Sequence, residues 1–173
     1  MVIGAPAAGN SEENFARMSR DVKTVISSIV KLYENVEAKS KRNAPVGEDS
    51  VSSAVRIRDK IKEIVNDIEN ILKLNRNVEI YLRGRIINGE SVKLLQEAKP
   101  ILDGIYWDIS QFVQIVTQLT IGAKGNVFKG APPDKFPAIN LLKQLRIDIK
   151  VIGKAANNIE VARKLNMKAS DMI

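Results

Sequence analysis

The chain contains neither histidine nor cysteine, so any chemistry it performs falls to carboxylates, lysine, arginine, serine and tyrosine. Losing imidazole removes the commonest general base, metal ligand and neutral-pH switch. Losing the thiol excludes disulfides, thiolate nucleophiles and cysteine-held metals or clusters. A carboxylate pair working as acid and base needs one shared pocket and separated pKa values. Asp103 and Asp108 are five residues apart, which puts them on different faces of a helix. Glu34 and Glu37 are close together, but among lysines. Two-metal carboxylate bundles draw on Glu-x-x-His pairs, which this chain cannot supply. The Gly-rich stretches "GAPAAGNS" and "GAKGNVFKGAP" do not match G-x-x-x-x-G-K-[ST] and follow no strand pattern, so they read as a tail and a surface loop. The expectation is a protein without an active site, a metal or a cofactor.

Charge and one aromatic residue are more informative. The formal net charge is +7, and the excess is uneven. From residue 109 onward there are ten Lys/Arg and four Asp/Glu. Lys143, Arg146, Lys150 and Lys154 step by three and four along the last helical segment and form a basic ridge. Such a ridge can meet anionic lipid or nucleic acid. Nucleic acid is the weaker match, because no aromatics interleave with the cations to stack on bases. "RIRDKIK" contributes Arg56, Arg58, Lys60 and Lys62, which radiate around their helix. The one tryptophan lies in "GIYWDISQF". Ile105, Ile109 and Phe112 have the spacing of a buried helix face, so Trp107 points outward. Tryptophans are enriched at interface hot spots. A Trp on that face is therefore a docking anchor, or it is covered by the N-terminal tail or by Val127 and Phe128, or the helix phase slips at Pro100 or Gly104.

These residues are positioned by four segments whose apolar side chains recur every three and four positions. The first carries Phe15, Met18, Val22, Val25, Ile29, Leu32 and Val36, with Asn10 as its cap and Glu13 three residues on. The second carries Ala54, Ile57, Ile61, Ile64, Ile68 and Ile71. The third carries Leu95, Ala98, Leu102, Ile105, Ile109, Phe112, Val116 and Leu119, and Pro100 interrupts it without changing the phase. That pattern predicts one kinked helix with Pro100 on the wet side, where water satisfies the freed carbonyl. The fourth opens at Pro137 and carries Ala138, Leu142, Leu145, Ile149, Ile152, Ala156 and Ile159. Aromatics make up 5% of the chain, so the core must be aliphatic. No apolar run approaches the ~20 residues of a membrane span. The opening "MVIGAPAAGN" lacks the basic start and long apolar stretch of a signal peptide.

The predicted fold is all-α: an elongated up-down-up-down four-helix bundle with helices at 11–42, 49–87, 91–121 and 137–165. Residues 1–173 form a single domain, with flexible tails at 1–9 and 167–173. The expected function is a non-catalytic interaction module that binds a protein partner or itself through exposed helix faces. Its expected contact residues are Trp107, with Ile80, Tyr81 and Ile87 at the 76–88 end, where apolar residues wrap most of the helix. The alternative is an anionic-surface binder, lipid or nucleic acid, acting through Lys143, Arg146, Lys150 and Lys154. A third reading is a carrier holding an apolar ligand between the helices.

Overall fold

The computed structural model describes the backbone over residues 4–42, 47–82, 89–123 and 137–171, and the side chains over 13–42, 47–73, 89–115, 140 and 142–166. Four helices follow in order: α1 (Gly4–Lys41), α2 (Glu48–Leu82), α3 (Gly89–Ala123) and α4 (Pro137–Asp171). Each packs on two neighbours, so the helices close into a ring α1–α2–α3–α4. Cross-helix pairs fix the directions. Arg17 meets Asp67 and Asp21 meets Lys60, so α2 runs antiparallel to α1. Ser19 meets Glu160 and Tyr33 meets Arg146, so α4 also opposes α1. Ser91 meets Ala162 and Asn158 meets Leu94, so α3 opposes α4. This is the up-down-up-down bundle, and 35 residues of α2 at 1.5 Å each make it about 50 Å long.

The core is the set of stripes seen in the sequence. Phe15 to Val36, Ala54 to Ile71 and Leu95 to Phe112 are buried at every stripe position, and the side chains of Val116 and Leu119, expected to continue the third stripe, lie outside the described residues. The stripes repeat every 3.5 residues, so each helix keeps the same edge toward the axis along its length. Many of these positions are β-branched Ile and Val, which are not strong helix formers. Helicity here therefore rests on packing more than on local preference. Pro100 lies inside α3, on its exposed side, and the helix continues through it. The carbonyl it frees, four residues back, is left to solvent rather than to the core.

Three expectations about the ends and the fourth stripe change. α1 begins at Gly4 rather than at residue 11, so residues 4–9 are helix and Asn10 is interior rather than a cap. Ala5, Ala7 and Ala8 favour helix, and Pro6 sits in the first turn, where its missing N–H has no partner to lose. α4 runs on to Asp171 and includes residues 167–171 that were expected to fray. In α4 the fully buried edge is Leu145, Ile152, Ala155, Ile159 and Ala162. Leu142, Ile149 and Ala156 are only partly buried, along the flank of the core. The core positions between them are taken by Asp148 and Asn166, both nearly inaccessible.

Core burial should dominate stability, and outward apolar residues should not. Ile68→Ala should cost about 2–5 kcal/mol of unfolding free energy, whereas Ile147→Ala should change it by about 0.5 kcal/mol or less. Urea titration followed by circular dichroism separates the two.

Candidate functional site

The four large apolar side chains exposed among the described residues are Trp107, Ile147, Val151 and Val161, at 63%, 51%, 39% and 38%. All lie on α3 or α4; the described parts of α1 and α2 carry none. Ile105, Ile109 and Phe112 are buried, so the phase does not slip at Pro100 or Gly104. Trp107 is thus directed outward by the same periodicity that buries its neighbours. Gly104, one turn before it, has open space where a Cβ would stand, which leaves the indole without a shoulder on that side. Ile147 and Val151 are one turn apart and adjacent on the outside of α4. Val127 and Phe128 of the 122–137 segment lie outside the described residues. So do the side chains of Ile80, Tyr81 and Ile87, the other expected contact residues.

The basic ridge divides. Lys143, Arg146, Lys150 and Lys154 are all exposed, but Arg146 is turned back toward α1. Its Nε and Nη2 donate to the Tyr33 hydroxyl, which in turn donates to Glu37 at 2.5 Å. The guanidinium also stands 5.4 Å from the Tyr33 ring centroid and 3.6 Å from Glu37. This network raises Arg146, through the Tyr33 hydroxyl first, and lowers Glu37. Arg146 is therefore a clasp between α4 and α1. Lys143, Lys150 and Lys154 have no ion-pair partner among the described residues, and their helical spacing sets them along one side of Ile147 and Val151 on the outside of α4.

Beneath this face is a feature the sequence reading did not place. Asp148 is 2% exposed at a core position. Its Oδ1 accepts from Gln144 at 3.4 Å, and its Oδ2 is buried with no hydrogen-bond partner of ordinary geometry. Burial pushes the carboxyl up to about 8, and the adjoining Asp108 carboxyl, able to share a proton and repelling a second charge, adds to this; the Gln144 amide works the other way. Asp148 is therefore mostly protonated at neutral pH. Among the described residues, no three His, Cys, Asp or Glu side chains are grouped to hold a metal ion, so the pair lacks a third acidic ligand. The sequence signal was present: the stripe 145, 148, 152, 155, 159, 162 steps as regularly as the one through Ile149. Hydropathy alone preferred isoleucine to aspartate.

Two further polar groups secure the seams. Arg17 grips the buried Asp67 with two bonds of 2.9 and 2.6 Å and donates to Asn14 at 2.6 Å. Glu160 accepts from Arg163 and from Ser19 across the α1–α4 seam, and the Arg163 bond first, then Ser19, lower it to about 2.

No helix among the described residues is long and apolar enough to cross a membrane. No family model matches the chain, and no curated protein does either.

The sign of the Asp148 effect follows from linkage. An acid raised from 3.8 to about 8 in the fold keeps a proton that the unfolded chain has already released. The stability it contributes is whole below about pH 4 and is lost as pH climbs toward 8. Asp148→Asn should flatten the decline in urea-derived stability across that window and should be the more stable protein above pH 8. Trp107 should also be strongly quenched by acrylamide in the folded protein, with an emission maximum that shifts by only a few nanometres on unfolding.

Proposed function

We propose that this chain is a non-catalytic helical-bundle module that docks a protein partner on the outer face of α3 and α4. One observation carries the reading: every large exposed apolar side chain among the described residues lies on those two helices. Scattered exposed apolar residues are ordinary on a protein surface. Confinement to one pair of helices, with the single tryptophan as the most exposed member, is not ordinary scatter.

Charge indicates the kind of partner. Lys143, Lys150 and Lys154 border Ile147 and Val151, so an acidic, amphipathic surface would meet both the apolar centre and the cationic rim. Such complementarity speeds encounter and fixes orientation. A two-fold contact of α4 with a second copy would instead oppose these lysines to one another. An anionic lipid surface is the second reading, supported by the same three unpaired lysines interleaved with apolar residues. Neither reading assigns a reaction to the chain.

The test is a partner isolated by crosslinking at a residue beside Trp107 and then titrated against purified variants. Trp107→Ala and Ile147→Asp should each weaken binding by about thirtyfold or more, the size of a hot-spot loss. Lys23→Asp, on the exposed side of α1, should leave it unchanged. Equal binding by all four proteins removes the α3–α4 face as the docking surface. Binding to vesicles containing anionic lipid that is lost steeply with added salt, with no saturable protein partner, selects the second reading.

A further inference from the structure

A concave site lies on the opposite side of the bundle from the exposed apolar residues. Along the α1–α2 seam, the ion pairs Arg17–Asp67 and Asp21–Lys60 close one stretch. Beyond Lys60 the flanking side chains become small: Thr24 and Ser28 on α1, and Ser53 on α2. The seam opens there into a groove of about 320 Å³ whose floor is Val25 and Ile57. Its walls bring three cations, Lys31, Arg56 and Lys60, around those three hydroxyls, and no carboxylate lines it.

The pairing of these groups is incomplete in a particular way. Lys60 is held at the closed end by Glu63 at 3.2 Å and Asp21 at 3.8 Å. The Thr24 hydroxyl donates to the Arg20 carbonyl at 3.1 Å. Arg56 donates only to Ser53 Oγ, at 3.3 Å, which leaves the Ser53 proton and most of the guanidinium fork unused. Lys31 and Ser28 have no partner among the described residues. The groove thus presents two cations and two hydroxyl donors without acceptors, above an apolar floor.

We propose that this groove is a binding site for a phosphomonoester, with the phosphate between Lys31 and Arg56 and a small apolar body on Val25 and Ile57. A dianionic phosphate matches two unpaired cations in charge. Its oxygens accept from a guanidinium fork and from hydroxyls in the geometry these residues offer. The volume is that of a small-molecule pocket rather than of a protein docking surface. The phosphomonoester can be a free small molecule or a lipid headgroup, and the two are separable by experiment. The site shares no residue with the α3–α4 face, so it stands or falls independently of the docking function.

The probe is phenyl phosphate, followed by amide shifts in ¹H–¹⁵N spectra of the full chain. Saturable shifts confined to residues 24–31 and 53–60 are expected, and stronger than those from inorganic phosphate, which lacks the apolar body. Arg56→Gln and Lys31→Gln should each weaken binding by about tenfold, as loss of a charge-assisted contact does. Lys150→Gln should have no effect. These are surface substitutions, and circular dichroism checks that the helices persist. Shifts spread equally over Lys143, Lys150 and Lys154, or binding indifferent to Arg56→Gln, would show general attraction to a basic chain and overturn the proposal. So would the absence of saturation. In a parallel arm, vesicles with and without phosphatidic acid distinguish the sources. Binding that needs phosphatidic acid and is lost in Arg56→Gln assigns the headgroup. Phenyl phosphate binding without vesicle binding assigns the free ligand.

Discussion

The phase of four aliphatic stripes is the constraint on which the rest depends. Helices of 35 to 38 residues stay in contact from end to end only if each shows the same edge to the axis throughout. A slip of one residue would turn Ile61, Ile64 and Ile68 toward water along with everything after them. Phe15 and Phe112 are the buried aromatics among the described residues. The interior is otherwise mostly Ile, Leu, Val, Met and Ala, interrupted among the described residues by Asp148 and Asn166.

Aliphatic stripes do not choose their neighbours, since any one of them packs acceptably on any other. The polar seams make the choice. Asp67 is nearly buried and is tolerable there only because Arg17 of α1 reaches it. Asn158 donates to the Leu94 carbonyl and Ser91 to the Ala162 carbonyl, which ties α4 to α3 at two levels. Ser19 and Glu160 do the same between α1 and α4. Exposed pairs such as Lys99–Glu69 are worth little individually, about 0–1 kcal/mol. A reordered ring, however, would leave Asp67 buried without a counterion, at a cost of several kcal/mol. Specificity of topology thus comes from what the wrong arrangement would strand.

This explains which parts of the structure were legible in the sequence. The first three stripes, the continuity through Pro100 and the outward Trp107 all follow from periodicity, which is a local property. The start of α1 was misread because Asn10 and Glu13 resemble a helix start, while the alanines before them extend the helix at little cost. In α4 the expected Leu145, Ile152 and Ile159 are buried, but the alternate members Ile149 and Ala156 fall one residue past the buried Asp148 and Ala155, because hydropathy favours Ile149 over Asp148. Its true edge depends on how α4 rotates against α1 and α3, and only the assembled bundle contains that information. The clasp from Arg146 to Tyr33 and the groove beside Ser28 and Ser53 join residues that are distant in the chain, so no spacing rule reaches them.

The mismatch in α4 bears on function as well as on reading. At two successive positions the sequence does the reverse of what folding asks: Ile147 faces water and Asp148 faces the core. Exchanging them would fill the interior with a methylene-rich side chain and release a carboxyl to solvent, improving both sites at once. One turn-level away on the adjoining helix, Trp107 is exposed and Asp108 lies against Asp148. Ile147, Asp148, Trp107 and Asp108 thus depart from hydrophobic patterning at one level of the bundle, on the α3–α4 side. Local rules in a well-folded chain are broken mainly where a site demands it. The docking surface proposed above is such a demand, and it would account for the outward isoleucine and tryptophan together. The acid beneath them, Asp148, is pushed up to about 8 by its burial, so it is mostly protonated at neutral pH.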